Sequence, residues 1–477
     1  MNRYKQLIKN IGLLTIGNFA SKLLSFILVP LYTSVLSTQE YGTFDIISTT
    51  VTLLLPILSV NIVEAVLRFP IDRQNDDGYV ADVYSVGVRY SIIGCIFLVF
   101  FLLINHVFSV FDILVQYENY MLLLYIVLAF NQLLVSFARA IDRIKDVTIA
   151  GVITSAVMIC LNLLFLLKFK LGLEGYFWAV IISNGIADLY YVIRLKVVSY
   201  TKLKLTEKTI SRSMLVYSFP MIFNTVGWWI NNASDRYIVT WLCGISVNGI
   251  YSVSYKIPSI LNVFHSIFMQ AWIISAVQEY KNENNELFFR NVYNTYGGLM
   301  AVLCFSIIVF TKPISALLFQ KEFFQAWYYI PFLLIAVLFG TLSGVLGGVF
   351  SAEKASNMFA ISTCIGAGVN FILNILLVKP MGPLGAALAT MLSAYIVLVF
   401  RIRHAKRYID LKLHLFRDHV VYILLVAQSM MVMMLKTSVL YFIISAMFLA
   451  VLVLLYKNEI NSIICNSHNW VKRKLSW

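Results

Sequence analysis

The chain has 477 residues, of which 60% are hydrophobic and 13% are charged. Soluble domains carry about a quarter charged residues, and a single soluble core stops growing beyond about 250–300 residues. With 9 Pro, 23 Gly and 6 scattered Cys, the chain also cannot be collagen-like, disordered or a disulfide scaffold. The composition predicts an all-α integral membrane protein with many spans.

The net charge of +14 does not by itself indicate a nucleic-acid partner. Membrane proteins become basic through their cytoplasmic loops, so no nucleic-acid partner is expected. The sequence contains no CxxC, no Cys/His cluster and no Walker A motif, and we therefore expect no metal, cofactor or ATP site. The N-terminal MNRYKQLIK resembles a signal peptide, but the apolar stretch after it is long and contains Lys22, which predicts an uncleaved first span.

Apolar stretches of about 20 residues, the length that a bilayer requires, recur along the chain and predict about fourteen helices. The predicted spans are 11–36, 42–69, 83–104, 120–140, 147–168, 175–198, 213–241, 244–278, 289–310, 327–350, 356–378, 384–403, 419–436 and 438–456. The span 244–278 would be about 52 Å long, so it must extend beyond the bilayer or kink, with Pro258 as the expected kink.

The distribution of Lys and Arg predicts that both termini are cytoplasmic. With that orientation, the cations on the external side are few: Lys168, Lys170, Lys312, Lys321, Lys379 and Lys436.

Two basic linkers, 199–212 and 404–418, divide the predicted helices into groups of six, six and two. The predicted organisation is an N-terminal six-helix lobe (1–198), a second six-helix lobe (213–403), and a C-terminal part with two further helices and a cytoplasmic tail (419–477).

The two predicted lobes look like copies of each other. EYGTFDIIS at 40–48 aligns with VNGIYSVSY at 247–255. Farther along, Asn162, Gly172 and Gly175 pair at nearly constant spacing with Asn370, Gly382 and Gly385. Since each lobe has an even number of helices, the copies have the same orientation in the membrane. Such parallel lobes around a central cleft are typical of transporters.

The segment TIGNFASKLLSFILVPLYTSVLSTQEYGTFDIIS at 15–48 resembles the N-terminus of bacterial polysaccharide flippases, the O-antigen and capsule exporters of the multidrug/oligosaccharidyl-lipid/polysaccharide superfamily. NNASDRYIVTWLCGISVNGIYSVSYKIPSIL at 231–261 is also typical of these proteins. The resemblance implies a MATE-like fold of two pseudo-symmetric six-helix lobes plus two terminal helices. It implies a location in the bacterial cytoplasmic (inner) membrane.

The resemblance implies a transporter rather than an enzyme, with an undecaprenyl-pyrophosphate-linked oligosaccharide as cargo. The glycan would move from the cytoplasmic to the outer leaflet by alternating access, in contact with membrane lipids and with a polysaccharide polymerase and other assembly proteins as partners. Two alternatives remain open: an ion-coupled multidrug or small-molecule antiporter of the same fold, and a membrane-embedded polysaccharide polymerase.

Several ionisable residues fall within the predicted spans: Lys22, Asp45, Glu64, Arg68, Arg89, Asp188, Asp235, Arg236 and Lys256. A charge at a helix centre costs about 2.5–3.5 kcal/mol, so these residues should face a watery cleft or one another. A local Glu64–Arg68 pair, one helical turn apart, is an equally good structural explanation for those two.

A diphosphate cargo needs cations, because Arg and Lys donate charge-assisted hydrogen bonds to its oxygens. Lys22 and Lys256 lie deep in different lobes, about 16 Å and 18 Å from the helix ends. The predicted substrate-binding residues are Asn18, Lys22, Arg68, Arg89, Asn224, Arg236 and Lys256.

Without a nucleotide site, the energy for transport must come from a H⁺ or Na⁺ gradient, from consumption of the cargo on the far side, or from both. Glu64 and Asp235 are the predicted ion-coupling carboxylates, because a buried acid can exchange protons near neutral pH.

Overall fold

The computed structural model describes residues 26–73, 75–109, 111–202, 208–280, 285–353 and 355–459. Within these ranges, helices are the only regular secondary structure. This confirms the predicted all-α class and follows from the solvent, since a helix satisfies its backbone hydrogen bonds without water.

Contacts divide the chain into two compact units, Met1–Ala233 and Ser234–Trp477. The helices of the first unit are α1 (Val29–Val35), α2 (Thr38–Leu58), α3 (Ile62–Arg68), α4 (Asp77–Phe108), α5 (Asp112–Gln116), α6 (Glu118–Ala140), α7 (Ile144–Asn162), α8 (Gly172–Leu195) and α9 (Val197–Tyr200). Helix α10 (Lys208–Cys243) contains the boundary between the units.

The helices of the second unit after α10 are α11 (Ile245–Ser254), α12 (Pro258–Glu279), α13 (Asn285–Val309), α14 (Thr311–Leu318), α15 (Ile330–Ala352), α16 (Ser356–Met381), α17 (Pro383–Ala405), α18 (Leu415–Met434) and α19 (Val439–Leu455). Short 3₁₀ segments occupy Phe69–Arg73 and Lys321–Tyr328, and a π-helical turn, Leu163–Lys168, extends α7.

Eleven helices in the described part of the chain are long and apolar enough to cross a membrane: α2, α4, α6, α7 with its extension, α8, α12, α13, α15, α16, α17 and α18. The protein is therefore a multi-pass membrane protein, but the predicted count of about fourteen spans is not confirmed. Most of the first predicted span lies outside the described residues, α19 has 17 residues, and α10 carries the polar sequence NNASDR.

Two predicted spans are each broken into two helices. The span predicted at 42–69 is α2 followed by α3, and the break contains Val60 (φ 54°) and Asn61 (φ 48°) in the left-handed region. The span predicted at 244–278 is α11 followed by α12, which begins at Pro258. This confirms the kink there, because proline lacks the N–H that would continue α11 and suits the first position of a new helix.

The residues that pair in the sequence repeat have matching local structure in the two units. Gly172 and Gly382 both have positive φ, 56° and 59°, at the start of α8 and α17. Such a backbone conformation favours glycine. Gly175 and Gly385, three residues later, are both closely packed. At Gly175 a Cβ would lie 3.0 Å from Leu171 Cβ, which would have to move slightly, and at Gly385 it would lie 2.2 Å from the Leu377 carbonyl oxygen, which leaves no room.

Each unit has its own packed core. In the first unit, α3, α4, α6 and α8 meet at Val66, Tyr84, Phe137 and Tyr191, all at most 4% exposed. In the second unit, α15 is the central helix, with 83% of its apolar window buried.

Glycines allow close packing against α15. The Trp272 ring lies against Gly348, and its Nε1 donates a hydrogen bond to the Val345 carbonyl at 2.9 Å. Here a small residue lets the neighbouring helix approach closely.

Candidate functional site

The structure places the predicted site residues on four segments. Glu64 and Arg68 lie on α3, Arg89 on α4, and Asn224, Asp235 and Arg236 on α10, while Lys256 lies in the break before α12. Asn18 and Lys22 lie outside the described residues.

A cavity of about 510 Å³ in the first unit contains Arg68. We call it the arginine cavity, and its lining residues are Arg68, Phe69, Arg73, Tyr79, Thr209, Ile210, Ser213 and Tyr217. The cavity carries two guanidinium groups, and its lining residues within the described part of the chain include no carboxylate.

The local sequence explains why two arginines reach this cavity. Pro70 disfavours continuation of α3, which ends at Arg68, and the chain turns through the 3₁₀ segment to Arg73. The Arg73 guanidinium lies 4.9 Å from the centre of the Tyr79 ring, and the Phe69 and Tyr217 rings meet edge to face at 5.8 Å. Arg73 was not among the predicted site residues, because it falls beyond the predicted apolar span.

Glu64 lies in the first turn of α3, immediately after the Val60–Asn61 break, and is half-buried. A helix N-terminus favours a negative charge, so this position suits a carboxylate. The break itself is held by Asn61, whose side-chain amide donates to the Thr225 hydroxyl at 3.1 Å. Discontinuous helices of this kind position ions and substrates in membrane transporters.

Arg89 and Asn224 lie away from the arginine cavity. Arg89 is half-buried and stands ten positions beyond Tyr79 on α4, about 15 Å along the helix. It is not among the residues that line the cavity. The side chain of Asn224 is exposed.

Asp235 is the most buried acid among the predicted site residues, at 2% exposed. The Tyr251 hydroxyl donates to one of its oxygens at 2.7 Å, and the Tyr255 hydroxyl donates to the same oxygen. The backbone N–H of Arg236 donates to the other oxygen at 2.9 Å. A carboxylate removed from water needs such donors, and here three are supplied.

Arg236 belongs to the same group of residues, which we call the Asp235 cluster (Asp235, Arg236, Tyr251 and Tyr255). Its guanidinium lies 5.2 Å from the centre of the Tyr255 ring. Helical geometry indicates different directions for Asp235 and Arg236. The long arginine side chain nevertheless reaches the tyrosine that binds Asp235.

The cluster forms because α10 and α11 are joined by a single residue, Gly244, with φ at 93°. This tight turn brings Tyr251 and Tyr255 of α11 to Asp235 on α10. Tyr251 and Tyr255 were not among the predicted site residues, although their spacing of four residues on one face of a helix was a usable signal.

Lys256 follows Tyr255 directly and lies in the break between α11 and α12, half-buried. Its carbonyl accepts a hydrogen bond from the Ser259 hydroxyl at 2.6 Å. The lysine therefore stands at a helix break, rather than in the middle of one continuous helix.

In the first unit, Asp188 accepts a hydrogen bond from the Asn131 side chain at 2.7 Å. The nearby Arg194 pairs instead with Asp146, at 3.3 Å.

Two arginines outside the predicted site lie in the second unit, Arg401 buried and Arg417 half-buried. Arg401 is 6% exposed and donates to the Ser362 hydroxyl and the Ser343 carbonyl, each at 2.9 Å. Arg417 forms ion pairs with Asp418 at 3.0 Å and with Glu459 at 2.5 Å. Both are well bonded, which indicates structural roles.

Comparison with known proteins agrees with this architecture. A family model described as "Polysaccharide biosynthesis protein" matches residues 7–274. The solved structure of the lipid II flippase MurJ in an inward closed conformation is 14% identical, with a TM-score of 0.70, over 94% of this chain and 99% of that one. An inward-facing multidrug resistance MATE family transporter is 15% identical, with a TM-score of 0.63, over 81% of this chain and 95% of that one.

One curated relative is the probable low-salt glycan biosynthesis flippase Agl15 of Haloferax volcanii. It is 24% identical over 216 residues, which are 44% of this chain and 46% of the relative. The alignment thus spans about half the length of that relative.

The fold and the buried polar sites define a multi-pass helical membrane protein of the architecture shared by MurJ and the MATE transporters. Because the family model covers more than half of the sequence, the chain belongs to the polysaccharide biosynthesis protein family.

Proposed function

We propose that the protein is a flippase that moves an undecaprenyl-pyrophosphate-linked oligosaccharide from the cytoplasmic to the outer leaflet for surface polysaccharide biosynthesis. The observation that carries the proposal is membership of the polysaccharide biosynthesis protein family. The fold shared with a lipid II flippase and a curated relative named as a glycan biosynthesis flippase support it.

The chemistry of the arginine cavity also supports an anionic cargo. Arg68 and Arg73 line it, and none of the lining residues that the structure describes is acidic. A multidrug antiporter that exports organic cations would need the opposite charge in its binding cavity. This cavity therefore supports the antiporter alternative less well than the flippase. The names of the relatives give no support to a polymerase.

In the proposed mechanism, the two units rock against each other and expose the cargo to each side of the membrane in turn. The cations Lys22, Arg68, Arg89, Arg236 and Lys256 bind the diphosphate, and Asn18 and Asn224 bind sugars. We place the protein in the cytoplasmic membrane with both termini cytoplasmic and a polysaccharide polymerase as functional partner.

We further propose that transport is coupled to H⁺ or Na⁺ through Glu64 or Asp235. The burial of Asp235 and the position of Glu64 at a helix break support these two carboxylates as candidates. Protonation or sodium binding would change the charge next to the cluster residue Arg236 and so favour one conformation.

The function is tested by deleting the gene and locating the lipid-linked glycan. We expect the glycan to accumulate in the cytoplasmic leaflet of the deletion strain and to reach the outer leaflet when the wild-type gene is restored. The leaflet is identified by the access of a membrane-impermeant glycosidase to the glycan in sealed vesicles of known orientation. Equal distribution in the deletion and restored strains would exclude the flippase function.

A further inference from the structure

We propose that the arginine cavity is a binding site for the diphosphate of a membrane lipid, with Arg73 as a binding residue beside Arg68. The assignment rests on the proposed function, because it identifies this diphosphate with that of the cargo. To the proposed function, the assignment adds a binding site formed by the 3₁₀ segment after α3 and the beginnings of α4 and α10.

The charge of the cavity fits a diphosphate. Two guanidinium groups line the space, and the other lining residues in the described ranges are aromatic, aliphatic or hydroxylic. Guanidinium groups bind phosphate oxygens through paired, charge-assisted hydrogen bonds, and two of them match the two negative charges of a diphosphate diester. Asp76, a neighbouring acid, is engaged at the start of α4, where its carboxylate accepts from the Tyr79 backbone N–H at 3.0 Å.

The lining also supplies neutral donors. Thr209 and Tyr217 contribute hydroxyl groups on one side of α10, and Tyr79 contributes another from α4. The Ser213 hydroxyl already donates to the Thr209 carbonyl at 2.9 Å, so it offers only acceptor capacity to a ligand. The cavity thus combines guanidinium groups that recognise an anion with hydroxyl groups that can donate to further oxygens of the ligand.

Arg73 is exposed, but its guanidinium already has an aromatic partner before any ligand binds. Its guanidinium lies 4.9 Å from the centre of the Tyr79 ring, a cation–π distance. A side chain already restrained in this way loses less conformational entropy on binding. Arg73 is therefore better suited than a freely moving surface arginine to recognise a small anion.

The size and position of the cavity fit a head group. A volume of about 510 Å³ lies within the range of small-molecule sites, about 300–1,000 Å³, and suits a diphosphate with its first sugar. The cavity lies where α3 ends, on the side predicted to be cytoplasmic, which is where the proposed cargo is loaded.

Binding to the full-length protein in nanodiscs of zwitterionic lipid tests the site. Radiolabelled undecaprenyl pyrophosphate and undecaprenol are compared for the wild type, Arg73→Gln, Arg73→Lys and the control Arg143→Gln, which alters an exposed arginine at the start of α7. We expect Arg73→Gln to weaken binding of the diphosphate lipid about tenfold, because a hydrogen bond to a charged group is lost. Arg73→Lys should retain part of the affinity, and neither the control variant nor undecaprenol binding should change.

Two competitors identify the source of the phosphate. Phosphatidylglycerol and inorganic pyrophosphate should each compete poorly with the lipid diphosphate. The assignment would be overturned if either compound competed as well as the lipid diphosphate itself. Unchanged affinity for the diphosphate lipid in correctly folded Arg73→Gln would also overturn it.

A flipping assay with the same variants separates this inference from the proposed function. If the wild type flips the cargo and Arg73→Gln flips it equally well at subsaturating concentration, the site assignment fails while the function stands. If the wild type does not flip the cargo, the function itself fails.

Discussion

The Tyr251 hydroxyl donates a hydrogen bond to the Asp235 carboxylate at 2.7 Å, and both side chains are at most 2% exposed. This bond joins α10 to α11 across the tight turn at Gly244. The acid that the sequence indicated as an ion-coupling residue is thus bonded to two tyrosines, Tyr251 and Tyr255, that were not among the predicted site residues.

Removing the Tyr251 hydroxyl should destabilise the protein. In Tyr251→Phe the buried carboxylate loses a donor, and we expect a loss of about 1–3 kcal/mol, measured as a lower Tm in detergent. Tyr329→Phe is the matched control, because its ring lies 5.8 Å from the Tyr251 ring and the described residues include no hydrogen-bond partner for its hydroxyl. Equal Tm values for the two variants would contradict a stabilising role for the bond.

Amide substitutions test ion coupling. Glu64→Gln and Asp235→Asn preserve shape but cannot titrate, so the residue that couples transport should lose its response to a gradient when substituted. The measurement is flipping in reconstituted vesicles with and without an imposed H⁺ or Na⁺ gradient. If wild type and both variants flip at the same rate under all conditions, the two carboxylates are structural.

Lys22→Ala and Lys256→Ala should each abolish export of the surface polysaccharide without preventing membrane insertion. The reason is the predicted depth of these lysines and their place in different lobes. Substitution by Arg should rescue export only in part, because geometry as well as charge matters at a phosphate. Surface polysaccharide is measured in a deletion strain, with the exposed Lys406→Ala as the control. Normal export by both alanine variants would rule out a cationic cleft that needs these lysines.

Gly385→Ala should strongly destabilise the second unit. A Cβ at Gly385 would lie 2.2 Å from the Leu377 carbonyl oxygen, a backbone atom that cannot move aside easily. We expect a loss of at least about 1–3 kcal/mol, as for other overpacked sites. Gly368→Ala on α16 is the control, because a Cβ there meets no atom within 4 Å and alanine favours a helix. Thermal unfolding of both variants gives the comparison, and similar Tm values would contradict the close packing.

Arg417→Ala should weaken the attachment of α18. Besides its two ion pairs, the Arg417 guanidinium donates to the Asn294 side chain on α13 at 2.9 Å and lies 4.3 Å from the centre of the Tyr456 ring. Its loss leaves Asp418 buried without its cation, which costs about 3–5 kcal/mol.

Limited proteolysis and Tm measure that effect, with the exposed Arg403→Ala as the control. Unchanged protease resistance after α17 in Arg417→Ala would show that other contacts suffice to hold α18.

The sequence by itself determined the class of protein and several features of its helices. Apolar stretches of bilayer length predict helices because lipid offers the backbone no hydrogen bonds. The break at Pro258 follows from the missing N–H of proline, and the repeated glycines Gly172 and Gly382 mark the two helix starts where φ is positive. These features depend on residues that are neighbours along the chain, so the sequence alone is enough to predict them.

Only the tertiary structure decided which polar side chains meet. Helical periodicity identifies the face on which Asp235 lies, but it does not identify the helix packed against that face. The turn at Gly244 brings Tyr251 and Tyr255 to that acid, and the 3₁₀ segment after Pro70 brings Arg73 into a cavity with Arg68. Such pairings depend on the angles at a few turns and on packing between helices distant in sequence, which the pattern of apolar residues does not encode.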